Sequence, residues 1–300
     1  MDKRILTAFV AAIVVLAVAL CGCTGTSPDV PETTPAVTPV ATGDAGTPAP
    51  ETNVTETTPE TNVTETSPAA QTGEKTRYIV GIDGDYKPYS WMTLDGKATG
   101  FDVESIQWIA DEMGFEVEIK PMAWDGIIPA LQQGKIDMVY SGMTISPERL
   151  QNVNFSKPYW IVNQAVAVRE GSDLTIEDVK EGKVVMGVQR GCTAHTWIDQ
   201  HLIQTGNLSS DDCKLYKNVQ LALTDLQNKR VDAVMYDVPV IKDAIQGKPL
   251  VMLGEIQTDE EYGVAVRKDD NDLRATINEG LDKLMTSPKW DELKQKYEMA

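Results

Sequence analysis

Apolar positions along this chain fall into two alternating rhythms. Tyr78 to Ile82 is a short continuous apolar run, as expected of a strand covered on both faces. Behind it Val103, Ile106, Ile109 and Met113 recur at helical spacing, with Asp102 in place to cap the helix and Glu104 in its first turn. Val117 and Ile119 then alternate as a second strand. The same grammar returns in Val184 to Val188, in a helix predicted from Thr193 to about Gln204, and in Val231 to Met235. Two closing helices follow, one carrying Leu273, Ile277, Leu281 and Leu284, the other Trp290, Leu293 and Tyr297 behind Ser287-Pro288. Strands alternating with helices predict an α/β fold.

Two internal echoes suggest that this pattern is written twice. The stretch from Leu131 to Tyr140 lines up with Leu226 to Met235, each reading as helix end, tight turn and strand. Val80-Gly81-Ile82-Asp83 likewise lines up with Met186-Gly187-Val188-Gln189. Two similar lobes would place their strand ends in equivalent positions, and ligands of open α/β sheets gather beyond the carboxyl ends of strands. Those ends are Asp83 to Tyr86, Ser141 to Thr144, Gln189 to Thr193, and Tyr236-Asp237.

Ahead of these elements the composition changes. Residues 1–20 open with Lys3 and Arg4 and then run apolar, as an export signal does. Leu20-Cys21-Gly22-Cys23 resembles a lipobox, which would make Cys23 the lipid-bearing N-terminus of the mature protein; an uncleaved signal anchor is the competing reading. Residues 24–75 are dominated by Thr, Pro, Glu, Ala and Val and hold a repeat, Glu51 to Pro59 and Glu60 to Pro68, so they are expected to form a disordered tether spanning roughly 40 Å. Sequons at Asn53 and Asn62 sit in the two repeats. Of the formal charge of −18, −11 falls on residues 75–300, a surface sign that argues against nucleic acid or an anionic membrane as the ligand. The globular part holds two cysteines, Cys192 and Cys213; a helix between them would part the thiols by roughly 18 Å, so both are expected to be free.

The chemistry at the strand ends fits a zwitterion. Ser146 followed by Pro147 marks a helix start, which brings free N–H groups together with Arg149, an arrangement suited to a carboxylate. The Thr144 hydroxyl and backbone N–H groups near Thr193 can assist. Asp237 offers an anion for an ammonium, Tyr86 and Trp124 can sandwich the middle of a ligand, and Asp83 remains for its far end. Each has a plainer reading: Asp237 as a helix cap before Val238-Pro239, Trp124 as core with Ile127 and Leu131, Asp83 as a turn residue beside Gly84. Enzymatic signatures are scarce. His195 and His201 lie six apart on one predicted helix and give neither a metal pair nor a triad base; no phosphate loop or Gly-x-Ser-x-Gly elbow appears. Cys192 sits at a helix N-terminus, a place that can lower a thiol pKa, but no nearby base is evident. No metal and no cofactor is expected.

Taken together, Val80 to Asp83 with Tyr86 and Pro88-Tyr89, Gly100 to Val103, Trp124 to Leu131, Ser141 to Arg149, Phe155 to Tyr159, Val231 to Val234 with Asp237, and Tyr262 to Val266 resemble the family 3 extracellular solute-binding proteins. The likeness is nearest to glutamine-binding and to lysine/arginine/ornithine- or histidine-binding members. It implies the type II periplasmic-binding-protein fold, with two α/β lobes joined by two hinge strands near Tyr159 to Asn163 and Thr258 to Tyr262. Residues 76–160 and 262–300 would form one lobe and 164–257 the other. By resemblance, Arg149, Thr144 and the backbone of Thr193 would hold an α-carboxylate, and Asp237 with a carbonyl near Gly142 would hold the α-ammonium. Tyr86 and Trp124 would flank the side chain, and Asp83 and Gln189 would meet its tip. The implied function is capture of a polar L-amino acid, glutamine or a basic residue first, and delivery to an ABC transporter permease. The protein would act as a monomer held to the outer face of the membrane by its lipid alone. Gln189 and Tyr236 stand where glutamine binders place Lys and His, which disfavours an acidic tip; Arg190, if turned inward, would undo that preference. Two alternatives share the fold: a cyclohexadienyl dehydratase-like enzyme acting on prephenate or arogenate, and an amino-acid sensor.

Overall fold

A computed structural model describes residues 76–299; the expected signal, Cys23 and the tether lie outside the described residues. In chain order, β1 (Arg77–Asp83) is followed by a small antiparallel sheet of β2 (Asp85–Tyr86), β3 (Ser90–Met92) and β4 (Ala98–Thr99). Then come β5 (Glu116–Met122), β6 (Met138–Val139) and β7 (Asn154–Phe155). The second half of the fold supplies β8 (Trp160–Arg169), β9 (Met186–Gln189), β10 (Cys213–Tyr216), β11 (Ala233–Asp237), β12 (Leu250–Tyr262) and β13 (Ala265–Val266).

Two five-stranded sheets result. The first has the order β5-β1-β6-β13-β7 and the second β10-β9-β11-β8-β12. Parallel pairs at the heart of each, β5-β1-β6 and β10-β9-β11, need crossover helices, and the apolar helix periodicities supply them. β9 and β11 are buried along their whole length, whereas β5, at an edge, alternates between exposed and half-buried.

The internal echo is structural. Asp137 and Asp232 occupy the same place in the two sheets: each backbone N–H donates to the carbonyl of the neighbouring strand, Ile79 or Val185, and each carboxylate accepts that residue's N–H. An arginine closes each knot, Arg267 on Asp137 and the Ile136 carbonyl, Arg169 on Asp232 and the Val231 carbonyl.

The chain passes between the sheets along β8 and β12, which pair antiparallel from Trp160↔Tyr262 to Arg169↔Leu250. Their register slips between Ile256 and Glu260, so that Gln257, Thr258 and Asp259 stand opposite Asn163 alone. Asn163 fixes this bulge by accepting the N–H groups of Thr258 and Asp259, both at 3.0 Å, and Asp259 takes φ +47°.

Two expectations are corrected here. Asp102 does not cap its helix: the helix runs Phe101–Met113 with Gly100 at the cap, where a Cβ would meet the Tyr89 carbonyl oxygen at 2.2 Å. Asp102 instead turns inward to full burial, and its carboxylate accepts the Gly142 N–H at 2.6 Å and the Tyr159 hydroxyl at 2.9 Å. The helix from Thr193 is regular only to Ile198 and then widens into a π-type turn over Asp199–Ile203. Both cysteines are free and buried, and no helix among the described residues is long and apolar enough to cross a membrane.

Candidate functional site

The strand ends converge. Tyr86, Trp124, Gly142, Thr144, Arg149, Cys192, Thr193, Tyr236 and Asp237 line one small cavity of about 10 Å3, room for about one water molecule. Seven of these nine are expected site residues. Larger recesses adjoin it: one of about 780 Å3 shares Trp124, Arg149 and Thr193, and one of about 530 Å3 shares Thr144 and Thr193.

Arg149 lies on the short helix Pro147–Leu150, whose cap Ser146 accepts the Arg149 N–H. The capped turn fixes the side chain's origin and aims it inward, leaving it 8 % exposed. Its guanidinium donates to the carbonyls of Thr144 at 2.9 Å and Gly191 at 3.2 Å, joining the first lobe to the second, and stands 5.4 Å above the Trp124 ring. It has no ion-pair partner among the described residues. Burial pulls its pKa below the usual arginine value, although it remains a cation at any physiological pH.

Asp237 ends β11 and precedes the helix Val238–Ala244, but its side chain does not cap that helix. Its carboxylate accepts the Tyr86 hydroxyl at 2.6 Å and the Gln164 amide at 2.5 Å, and no cation pairs with it among the described residues. Burial, with nearby Glu260 adding repulsion, raises its pKa to about 7. Gln164 also donates to Glu260 at 2.8 Å, and Glu260 accepts the Thr144 hydroxyl at 2.8 Å.

Gly142 shows why a glycine is required at one site position. Its φ is +54°, and a Cβ would meet Tyr86 at 2.4 Å. Tyr86 does more than flank: its hydroxyl bonds both Asp237 and the hydroxyl of Tyr262. Trp124, half-buried at the start of a single turn, donates its indole N–H to the Gly191 carbonyl at 3.1 Å.

Asp83 and Gln189, expected at the ligand tip, are buried and bonded to each other at 2.9 Å but do not line this cavity. Tyr236 stands in their place and donates its hydroxyl to Gln189. Arg190 faces the larger recess, outside this set. Cys192 lines the cavity, and its place at a helix N-terminus does not make the thiol acidic: burial pushes the pKa up to about 12. Sequence reading missed Gln164, Glu260 and Tyr262. Gln164 interrupts the apolar stretch Ile161 to Val168, a polar residue at 0 % exposure, and that interruption was the available signal.

A buried guanidinium and a buried carboxylate, each unpaired with an ion, face one cavity whose walls come from both lobes. Such charges are costly to desolvate without a counter-ion, and a molecule with one anionic and one cationic end would satisfy both.

Known proteins resemble nearly all of the described part of the chain. Residues 78–300 match the family model described as bacterial extracellular solute-binding proteins, family 3. The L-cystine-binding protein TcyJ of Escherichia coli (strain K12) is 33% identical over 229 residues, covering 75% of this chain and 83% of that protein. An L-arginine-binding protein of Pseudomonas aeruginosa is 33% identical over 229 residues, covering 73% of this chain and 86% of its own. Among solved structures, an ancestral arginine-binding protein bound to arginine superposes with a TM-score of 0.69 at 34% identity, covering 74% of this chain and 98% of that one.

Proposed function

The chain belongs to the bacterial extracellular solute-binding proteins of family 3, and from that premise we propose that it captures a free polar L-amino acid between its lobes and hands it to an ABC transporter permease. The observation that carries this reading is the pair of buried, mutually unpaired charges, Arg149 and Asp237, that line one cavity. Arg149, with the backbone N–H groups of Thr144 and Thr193, takes the α-carboxylate, the Thr144 hydroxyl being given to Glu260. Asp237 takes the α-ammonium with the Gly142 carbonyl, and Tyr86 and Trp124 flank the side chain. Asp83 and Gln189 terminate the side-chain subsite once Tyr236 swings aside. A long polar ligand, glutamine or a basic amino acid, suits that depth, and the L-arginine-binding relative supports the choice. Binding and release, with no bond made or broken, are the whole of the activity.

A cavity of about 10 Å3 admits no amino acid, so the lobes must part for entry. Residues 76–160 and 262–300 move as one body and 164–257 as the other, hinged at 159–163 and 258–262. The ligand selects the closed form by contacts to both. Outside the described residues, Cys23 carries the lipid, residues 24–75 give the lobes reach from the extracellular face of the membrane, and the protein works as a monomer.

A thermal-shift screen against the common amino acids tests the ligand class. The bound ligand at a hundred times its dissociation constant adds about 2.7 kcal/mol of stability. A flat response to all of them, with the fold intact, would sink the reading. Replacing Cys23 by Ser should free the protein into the medium and abolish incorporation of labelled fatty acid.

A further inference from the structure

We propose that Glu260 is a positioning residue of the ligand site, aimed by the hinge bulge so that closing the hinge sets Thr144 and Asp237 for ligand together. The inference rests on the binding function above. Bulges bend a strand and re-aim its side chains, and this one is specified by side-chain chemistry. Three residues of β12 oppose Asn163, whose amide oxygen takes two of their N–H groups, and Asp259 adopts the left-handed region that Asp tolerates better than most residues. The chain thereby returns to register at Glu260↔Val162, two residues along β8 from Gln164 on the other side of the bulge.

From there the Glu260 carboxylate spans both halves of the site. One oxygen accepts the hydroxyl of Thr144, from the first lobe. The other shares the Gln164 amide with Asp237, on the second, and that amide nitrogen also comes within 3.4 Å of the Thr193 hydroxyl. An amide NH2 has two hydrogens, so one suits each carboxylate, and the like charges are held apart by a shared donor instead of meeting. Two expected ligand contacts, Thr144 and Asp237, thus depend on one hinge residue and its glutamine. Glu260 itself is absent from the walls of the inner cavity. Its role is to place those groups; it does not touch the ligand.

The test uses calorimetry with the amino acid that stabilises the wild-type protein. Glu260→Ala should weaken binding about tenfold or more, the worth of one charge-assisted hydrogen bond, with unchanged circular dichroism. Glu260→Gln should bind within about threefold of wild type, because its amide can still accept from Gln164 and donate to the Thr144 oxygen. Asn163→Ala, which frees the bulge, should weaken binding as Glu260→Ala does, and the double variant should be no worse than either single one. Equal losses in the Gln and Ala variants would overturn the inference, since charge rather than placement would then matter. So would an unchanged Ala variant, or additive losses in the double variant. Failure of the binding function itself looks different: no amino acid then stabilises the wild type.

Discussion

At the scale of single residues, the site is a problem in desolvated charge. In the proposed binding mode, removing Arg149 would leave the ligand carboxylate buried and unpaired, a cost of roughly 2 to 5 kcal/mol, so Arg149→Ala should weaken binding by about thirtyfold or more in calorimetry. Arg149→Lys should rescue little, because one ammonium cannot reach the Thr144 and Gly191 carbonyls and also offer a planar fork. Buried acids set the pH response, and burial raises the pKa of Asp83 as well as of the two that follow. Asp237 and Asp102 have pKa values raised by burial to about 7 and about 8. The folded state therefore holds protons that the unfolded chain releases near pH 4, and its stability is greatest below that point. It falls as pH rises through 7 and 8. Ligand affinity should run the other way, since the proposed ammonium contact needs Asp237 ionised. The melting temperature of the free protein should fall between pH 5 and 8 while the shift caused by ligand grows, and Asp237→Asn should flatten much of the first trend.

At the scale of elements, the strand ends were legible and their connections were not. Alternating apolar periodicities announced both sheets, and the repeated segments that contain Asp137 and Asp232 proved to carry the same knot built twice. Each arginine in these knots is about three-quarters buried and bonded to a carbonyl as well as a carboxylate. Arg169→Ala and Arg267→Ala should therefore each cost about 1.5 to 3 kcal/mol in urea denaturation, more than an exposed ion pair such as Lys180 with Glu177. The short helix bearing Arg149 was readable because Ser-Pro is a local signal. Asp102 was misread because the cap is decided by Gly100 and its contact with Tyr89, which are apart in sequence. Glu260 and Tyr262 were missed for the same reason. Their partners lie more than 90 residues away, and nothing local marks a bulge held by Asn163. Gly142→Ala tests the tightest of these contacts: its Cβ would displace Tyr86 from Asp237, and affinity should fall at least about tenfold with some loss of melting temperature.

At the scale of the whole molecule, the lobes touch through Arg149 and Trp124 on the Gly191 carbonyl, Tyr86 on Asp237, Gln189 on Asp83, and Asn218 on Asp85 at the rim. Only the last is an exposed side-chain pair at the rim, so Asn218→Ala should speed ligand dissociation a few-fold, measured by stopped flow, without altering which amino acid is chosen. Cys192 adds a practical consequence. Its sulfur sits inside the closed cavity, whereas Cys213 lies on an edge strand of one sheet. In a Cys213→Ser background, the speed at which a small alkylating reagent consumes the Cys192 thiol would count the time the jaws spend apart. The protein thus carries its own clock for gaping, readable without any attached dye, and nutrient should slow it in proportion to occupancy.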